Sequence, residues 1–468
     1  MRVSAVVPVY NDSQFILRCV QSILPQLDSD MELIIVDDAS DDGTFDLLRR
    51  KVGNDGRVVL VHSVLNHGPA AARNTGIRLA RGSYITFCDA DDEWEAEKLK
   101  KQLAYMREHP ETDIVYTDGS TKLDDHTDRT GQLAAYAKDD RIHLRTAMIR
   151  RDTFDRIGFL DESMLLREDT EWIVRAKSSG CISKLLEEPL YIRHIRKDGL
   201  SSKASEEGRK QRIIDSYVRG LRKKKPECLR YDLSILIPMY RAERYIGEAL
   251  ESAVSARYSA EIIVVDDGSA DKSPDAVLRY TRECCSDHKT PVTLVTRAHR
   301  GQAASRNDAF WCARGRFILY LDADDYLMPG AADTLMDAAE GNEADPQSEK
   351  KAHYPMIVSA LCRDFISPEL PTEEAALLKI NPDPYRRMLA GCMLIRRDVF
   401  EIVGMYDENL PTSETAQWVL RIRDAGLEIR EIDDVVLARR YHRTNLGRTR
   451  RDAQLASYAA MLRNRLRK

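Results

Sequence analysis

A chain of 468 residues is long enough for two to four domains, each with its own core. With 43% hydrophobic and 31% charged residues the composition is that of an ordinary soluble protein. A net charge of −5 argues against a dedicated nucleic-acid binder, and no apolar run approaches the length of a membrane span.

The N-terminus enters a strand directly, so we expect no signal peptide and a cytoplasmic protein. The first half then alternates. Strands are expected over 4–9, 32–37, 58–62 and 84–88, and helices over 13–24, 44–51, 69–80 and 95–108. Such βαβα order predicts a mainly parallel sheet with helices on both faces. Leu33-Ile34-Ile35-Val36 is continuously apolar, as a strand covered on both faces should be. The nine cysteines form no CxxC pair, and Cys19, Cys88 and Cys312 lie in apolar contexts, so buried free thiols are expected.

From residue 233 the plan repeats. Val6 to Tyr10 returns as Leu236 to Tyr240, Ile35 to Ser40 as Val264 to Ser269, Gly68 to Asn74 as Gly301 to Asn307, and Asp89-Ala-Asp-Asp at Asp322. The offset stays between 229 and 233, then reaches 246 where Ile149-Arg-Arg-Asp matches Ile395-Arg-Arg-Asp and Trp172 matches Trp418. A period this long means two whole domains, 1–225 and 226–468, with a surface insertion near 340–350 in the second. Each half ends on a basic stretch. Ile214 to Lys225 closes the first, and Leu455, Tyr458, Leu462 and Leu466 give the second a basic amphipathic helix. Packing on the domain is the favoured reading of that tail, with peripheral contact to an anionic membrane as the alternative.

The acids sit where strands end. Asp89, Asp91 and Asp92 follow an apolar strand, and clustered carboxylates suit an oxygen-seeking divalent cation; the plain alternative is a solvated cap. Asp37 and Asp38 close the second strand at the crevice of a doubly wound sheet, where a carboxylate can accept from a base or ribose. Ser40 and Asp41 read as caps of the next helix. Gly68 to Asn74 reads as a helix start of small residues that supplies Arg73 for phosphate. There is no G-x-G-x-x-G, Walker loop, HExxH or G-x-S-x-G.

Taken in order, Val6-Val7-Pro8-Val9-Tyr10-Asn11, Val36-Asp37-Asp38, Ala72-Arg73-Asn74-Thr75-Gly76, Asp89-Ala90-Asp91-Asp92 and Arg167-Glu168-Asp169 resemble glycosyltransferase family 2. The resemblance spans nearly all of 3–200 and again 233–445. It implies two tandem α/β domains of the Rossmann-related GT-A fold with mainly parallel sheets. It also implies inverting transfer from a nucleotide-diphosphate sugar, uridine being the family's commonest base, with Mg²⁺ or Mn²⁺ as cofactor. Donor contacts are implied for Pro8, Tyr10, Asp37, Asp38, Arg73 and Asp89, and for Pro238, Tyr240, Asp266, Asp267, Arg306 and Asp322. Metal contacts are implied for Asp91 and His194, and for Asp324 and His442. Asp169 is the implied catalytic base beside Glu168; on its own, that acidic first turn also reads as helix-dipole stabilisation.

Aligning Trp418 on Trp172 puts Glu414 on Glu168 but Thr415 on Asp169. The first domain is therefore expected to be the working transferase, acting on a glycan, lipid-linked or peptide acceptor; in the second, Asp266, Asp267, Asp322 and Asp324 are intact and Glu414 would reach the acceptor only with the loop rearranged. A bifunctional two-site polymerase, and a second domain that only binds nucleotide sugar or acceptor, are the alternatives. The stretch from Thr117 to Arg145 carries no readable pattern.

Overall fold

The computed structural model describes residues 2–123, 141–164, 167–195, 229–255, 257–284, 290–340, 356–378, 380–381, 383–387, 389–410 and 413–443. The basic segments ending at Lys225 and Lys468 and the insertion after Glu340 lie outside the described residues. The chain divides into two compact units, Met1–Cys228 and Leu229–Lys468. No helix among the described residues is long and apolar enough to cross a membrane.

The first unit runs β1 (Val3–Val9), α1 (Ile16–Ile23), β2 (Met31–Asp38), α2 (Thr44–Val52), β3 (Val58–Ser63), α3 (Pro69–Leu79) and β4 (Tyr84–Phe87). It continues with β5 (Glu93–Trp94), α4 (Lys98–Glu108), β6 (Ile114–Leu123), β7 (Met148–Arg150), α5 (Arg151–Ile157), α6 (Glu168–Ser178) and β8 (Ser183–Ile195). Helix α1 starts at Ile16 rather than Ser13, because Phe15 and Ile16 both donate to the Asp12 carbonyl in a preceding turn. It buries Ile16, Cys19, Val20 and Ile23, one face of a 3.6-residue period. Helix α4 starts at Lys98 rather than Glu95, since Glu93 and Trp94 pair antiparallel with β8 and Glu97 turns with φ of 71°.

Strands β1, β2, β3 and β4 pair in parallel in the order β3-β2-β1-β4. The sheet then extends antiparallel through β7 to β6, and β8 pairs parallel with β6. The order reverses between β1 and β4, so the crevice at their carboxyl ends is the topological switch point where such sheets bind ligands. Every residue of β2 is buried, as its unbroken apolar run requires.

The second unit repeats this with β9 (Tyr231–Met239), α7 (Ile246–Ser252), β10 (Ala260–Asp266), α8 (Ser273–Cys284), β11 (Val292–Thr296), α9 (Gln302–Cys312) and β12 (Gly315–Tyr320). There follow β13 (Tyr326–Leu327), α10 (Ala331–Glu340), β14 (Ile357–Ile366), α11 (Thr372–Ala376), β15 (Tyr385–Arg386), β16 (Met393–Arg396), α12 (Val399–Val403), α13 (Glu414–Asp424) and β17 (Ile429–Tyr441). Its parallel core is β11-β10-β9-β12, extended by antiparallel β16.

A buried polar latch fixes the near edge of each core. Ser4 Oγ donates to Glu32 at 2.6 Å and accepts from Gly82 N at 2.8 Å; Ser234 Oγ, Glu261 and Gly315 N repeat both distances. A burial cost is met by a bond in each case.

Candidate active site

The turns after the first and second strands of each unit are strained in the same way. Asn11 and Arg241 hold φ near 53° and 52°, and Ala39 and Gly268 sit at 69° and 72°. Non-glycine residues rarely hold this region, and such backbone clusters at functional sites. Pro8 lies inside β1 opposite Val36, and Pro238 opposite Val265. Just past them Tyr10 and Tyr240 stand out at 49% and 44% exposure, two aromatic faces at the rim. His299 packs against the second, with ring centroids 4.7 Å apart.

Behind the rim the first acids are committed to the protein. Asp37 accepts from Ser40 and meets His62 Nδ1 at 2.6 Å. Asp38 accepts from the backbone N–H of His67 (2.9 and 3.0 Å) and Gly68 (2.7 Å), which tethers it to the start of α3. Its counterpart Asp267 accepts from Gly301 N and Arg300 N, each at 2.8 Å, contacts His299 Nδ1 at 2.8 Å, and also takes the buried Arg297 guanidinium. Arg297 in turn binds Asp308 at 2.7 Å and Ser305 at 3.1 Å. Burial pushes the Asp266 carboxyl up to about 6, against the opposing bonds from Ser269. The cap of α2 is a correction: Asp42, not Asp41, binds Thr44 N at 3.0 Å, while Ser40 Oγ serves Asn11 N and Asp37 instead.

The acids of β4 join those of α6 through one arginine. Arg73, the fifth residue of α3, donates from one guanidinium nitrogen to Asp89 at 2.8 Å and from another to Glu168. Arg73 is thereby a clamp between carboxylates. Arg167, at φ of 68°, turns the chain so that α6 begins with Glu168 facing inward. Burial pushes the Glu168 carboxyl up to about 7; Arg73 opposes this and Asp169 adds to it. For Asp169, burial alone would raise the carboxyl, but His143, Arg73 and Arg145 outweigh it and hold it well below the usual range. The Asp169 carboxylate accepts from Thr170 N at 2.7 Å through Oδ1 and lies 3.1 Å from His143 Nδ1 through Oδ2. Burial also opposes the charge on Asp89, and there Arg73 and Arg145 again win, lowering its carboxyl.

Asp92 is structural. It is buried, accepts from Tyr191 OH at 2.6 Å and from His194 N at 2.7 Å, and is pushed well up by burial and then by Asp91 and Asp89. In the second unit Asp325 accepts from Arg440 N at 2.8 Å in the same way. That pairing sets the register. The position matching His194 is Arg440, and the position matching His442 is Arg196, outside the described residues, so the two histidines assigned as metal ligands are not counterparts. His194 Nε2 lies 2.7 Å from Glu93 Oε1, whereas His442 Nε2 lies 2.9 Å from Asp324 Oδ2.

No group of three or more His, Cys, Asp or Glu side chains able to hold a metal occurs among the described residues. Magnesium and manganese in phosphate-handling sites need only one or two carboxylates, with substrate phosphates and water completing the shell. Asp324 with His442, and Asp91 beside Asp89, fit that donor set.

The second unit keeps the clamp and changes the residues around it. Arg306 binds Asp322 at 3.0 Å and also Glu414, and Ser413 repeats the positive φ at 69°. Thr415, in the place of Asp169, accepts from Arg306 at 2.8 Å. Extending the 246-residue offset back through the unreadable stretch would have shown more: His143 falls on Leu389, Arg145 on Gly391 and Thr146 on Cys392.

Residues 4–171 and 234–349 match the family described as Glycosyl transferase family 2. The chain is 31% identical over 211 residues to an uncharacterized glycosyltransferase, EpsJ, of Bacillus subtilis (strain 168), covering 41% of this chain and 60% of that one. It is 35% identical over 114 residues to UDP-Glc:alpha-D-GlcNAc-diphosphoundecaprenol beta-1,3-glucosyltransferase WfaP of Escherichia coli, covering 24% of this chain and 43% of that one. Among solved structures, residues 1–349 of S. aureus TarS in complex with UDP-GlcNAc match with 22% identity and a TM-score of 0.38, over 44% of this chain and 62% of that one. The matched stretches span less than two thirds of these relatives.

Proposed function

The chain belongs to glycosyl transferase family 2, and on that premise we propose that its first unit transfers a sugar from a nucleotide-diphosphate donor, with inversion, to a hydroxyl of a glycan, lipid-linked or peptide acceptor. The observation that carries the reading is the placement of Asp169. An ionised carboxylate stands at the start of α6, one residue from the Glu168 that shares Arg73 with Asp89. The name of WfaP, a UDP-glucose enzyme acting on a diphosphoundecaprenol-linked sugar, favours a uridine donor and a lipid-linked acceptor.

In this reading Pro8, Tyr10, Asp37, Asp38 and Asp89 line the donor's nucleotide, and Arg73 keeps Asp89 in place. Asp169 takes the acceptor hydroxyl's proton as its oxygen bonds to the anomeric carbon. The bond from that carbon to the diphosphate oxygen breaks, and the electron pair leaves on the diphosphate. A carboxylate held so far below its usual range is a weak ground-state base, so the proton moves as the new bond forms and the hydroxyl becomes acidic. When bound, Mg²⁺ or Mn²⁺ neutralises charge on the departing diphosphate. Asp91 would hold it in the first unit, where His194 is engaged by Glu93, and Asp324 with His442 in the second.

The second unit is read as a site that binds nucleotide sugar without transferring it. Its Asp324–His442 pair and Arg306–Asp322 clamp support binding. Thr415 offers no base, which disfavours two-site polymerisation. The test is transfer from a panel of nucleotide sugars, with and without chelator, by Asp169→Asn and Glu414→Gln variants of the full chain. Asp169→Asn should lower turnover by about 10²- to 10⁴-fold. Loss of transfer only in Glu414→Gln, or full activity in chelator, would overturn the reading.

A further inference from the structure

We propose that His143 is a positioning residue for Asp169, holding the base carboxylate in the one orientation that faces an acceptor. The inference rests on the reading of Asp169 as base and adds a group no motif supplies.

Three observations carry it. Both oxygens of Asp169 are accounted for: Oδ1 by the N–H of Thr170 at 2.7 Å, and Oδ2 by His143 Nδ1 at 3.1 Å. The helix terminus fixes one end of the carboxylate and the imidazole the other, which stops rotation about the last side-chain bond. Next, His143 is itself held. It caps a short 3₁₀ turn, Leu144–Thr146, whose Thr146 N and Oγ1 return to the His143 carbonyl at 3.2 and 2.9 Å. With side-chain exposures of 13% for His143 and 19% for Asp169, the pair is mostly shielded from water while the carboxylate keeps an open edge.

The comparison of the two units is the third observation. The second keeps the backbone of this turn, with Cys392 N on the Leu389 carbonyl at 3.0 Å, and keeps the start of its acidic helix. Yet His143 becomes Leu389 and Asp169 becomes Thr415. A histidine needed only to build the turn would have no reason to vanish with the aspartate, because leucine builds the same turn. The two side chains depart as a functional pair.

Full-length His143→Leu, which the same turn already accommodates elsewhere in the chain, and His143→Asn are compared with Asp169→Asn. Asparagine places an N–H close to where Nδ1 stands. We expect His143→Leu to lower kcat by about 10- to 100-fold with donor KM unchanged, since misplacing a reacting group costs rate rather than binding. His143→Asn should recover part of that loss. Unchanged kcat in His143→Leu, or an asparagine variant no better than leucine, would overturn the proposal while an inactive Asp169→Asn left the base reading standing. Transfer retained by Asp169→Asn would sink the base reading itself, and the role of His143 with it.

Discussion

Glu168 buries a carboxyl whose ordinary value is 4.5, and burial, helped by Asp169 and opposed by Arg73, lifts it to about 7. A folded-state value above the unfolded one means that the native protein holds the proton more tightly. The stabilisation is complete below about pH 4.5 and is lost as pH rises through 7. Glu168→Gln keeps a neutral partner for Arg73 and nothing to ionise. Its melting temperature relative to wild type should therefore rise between about pH 5 and about pH 8, by a few degrees in thermal unfolding. A difference flat across that range would show that Glu168 ionises freely. At this scale the acids were readable from sequence, because aspartates at strand ends repeat. Their partners were not. His143 and Arg145 sit in a stretch without periodicity, and only folding brings them to Asp169; the two carboxylate partners of Arg73 are likewise 16 and 95 residues away in the chain.

The first four strands, α2 and α3 were legible to within a residue at each end, since β2 is a continuous apolar run and the helices keep their period. The boundaries that shifted did so where local bonds overrule periodicity, at the Asp12 turn and at the β5–β8 pairing. What sequence could not show is why the cores tolerate so little change at their edges. A Cβ on Gly82 would lie 2.5 Å from Ser4 N, and one on Gly315 2.5 Å from Ser234 N, both main-chain atoms beside the buried latch. Gly82→Ala and Gly315→Ala should each destabilise the protein by about 1–3 kcal/mol or more, measured by denaturant unfolding. Gly43→Ala offers a contrast, because nothing lies within 4 Å of its added carbon and only its φ of 86° opposes the change. Equal costs at all three sites would rule out close packing as the cause.

For the molecule as a whole, duplication left two scaffolds, one with Asp169 and the other with Thr415 at the start of its acidic helix. Trp172 and Trp418 each donate from the indole to a glycine carbonyl at 2.8 Å, so the frame behind the acidic helix survives in both. Restoring the lost pair should then restore chemistry. Leu389→His with Thr415→Asp, placed in an Asp169→Asn background, should give transfer above that background in a product assay, and either change alone should give less. No gain from the pair would mean that the second scaffold has drifted further than its backbone suggests. The repeat itself was plain in the sequence; the mismatch between His194 and His442 was not, because a histidine two positions along the strand satisfies the eye until Asp92 and Asp325 fix the alignment.

A carboxylate has about four lone-pair directions to offer. Asp38 spends them on two backbone amides with the His67 imidazole 3.8 Å away, whereas Asp267 also carries a buried guanidinium and an imidazole at 2.8 Å. The carboxylate at the first rim therefore keeps more accepting capacity than its fully subscribed twin at the second. Were a heterocycle to settle beside Asp267, it would have to be recognised by other atoms, and the twin clefts would be free to prefer different nucleobases.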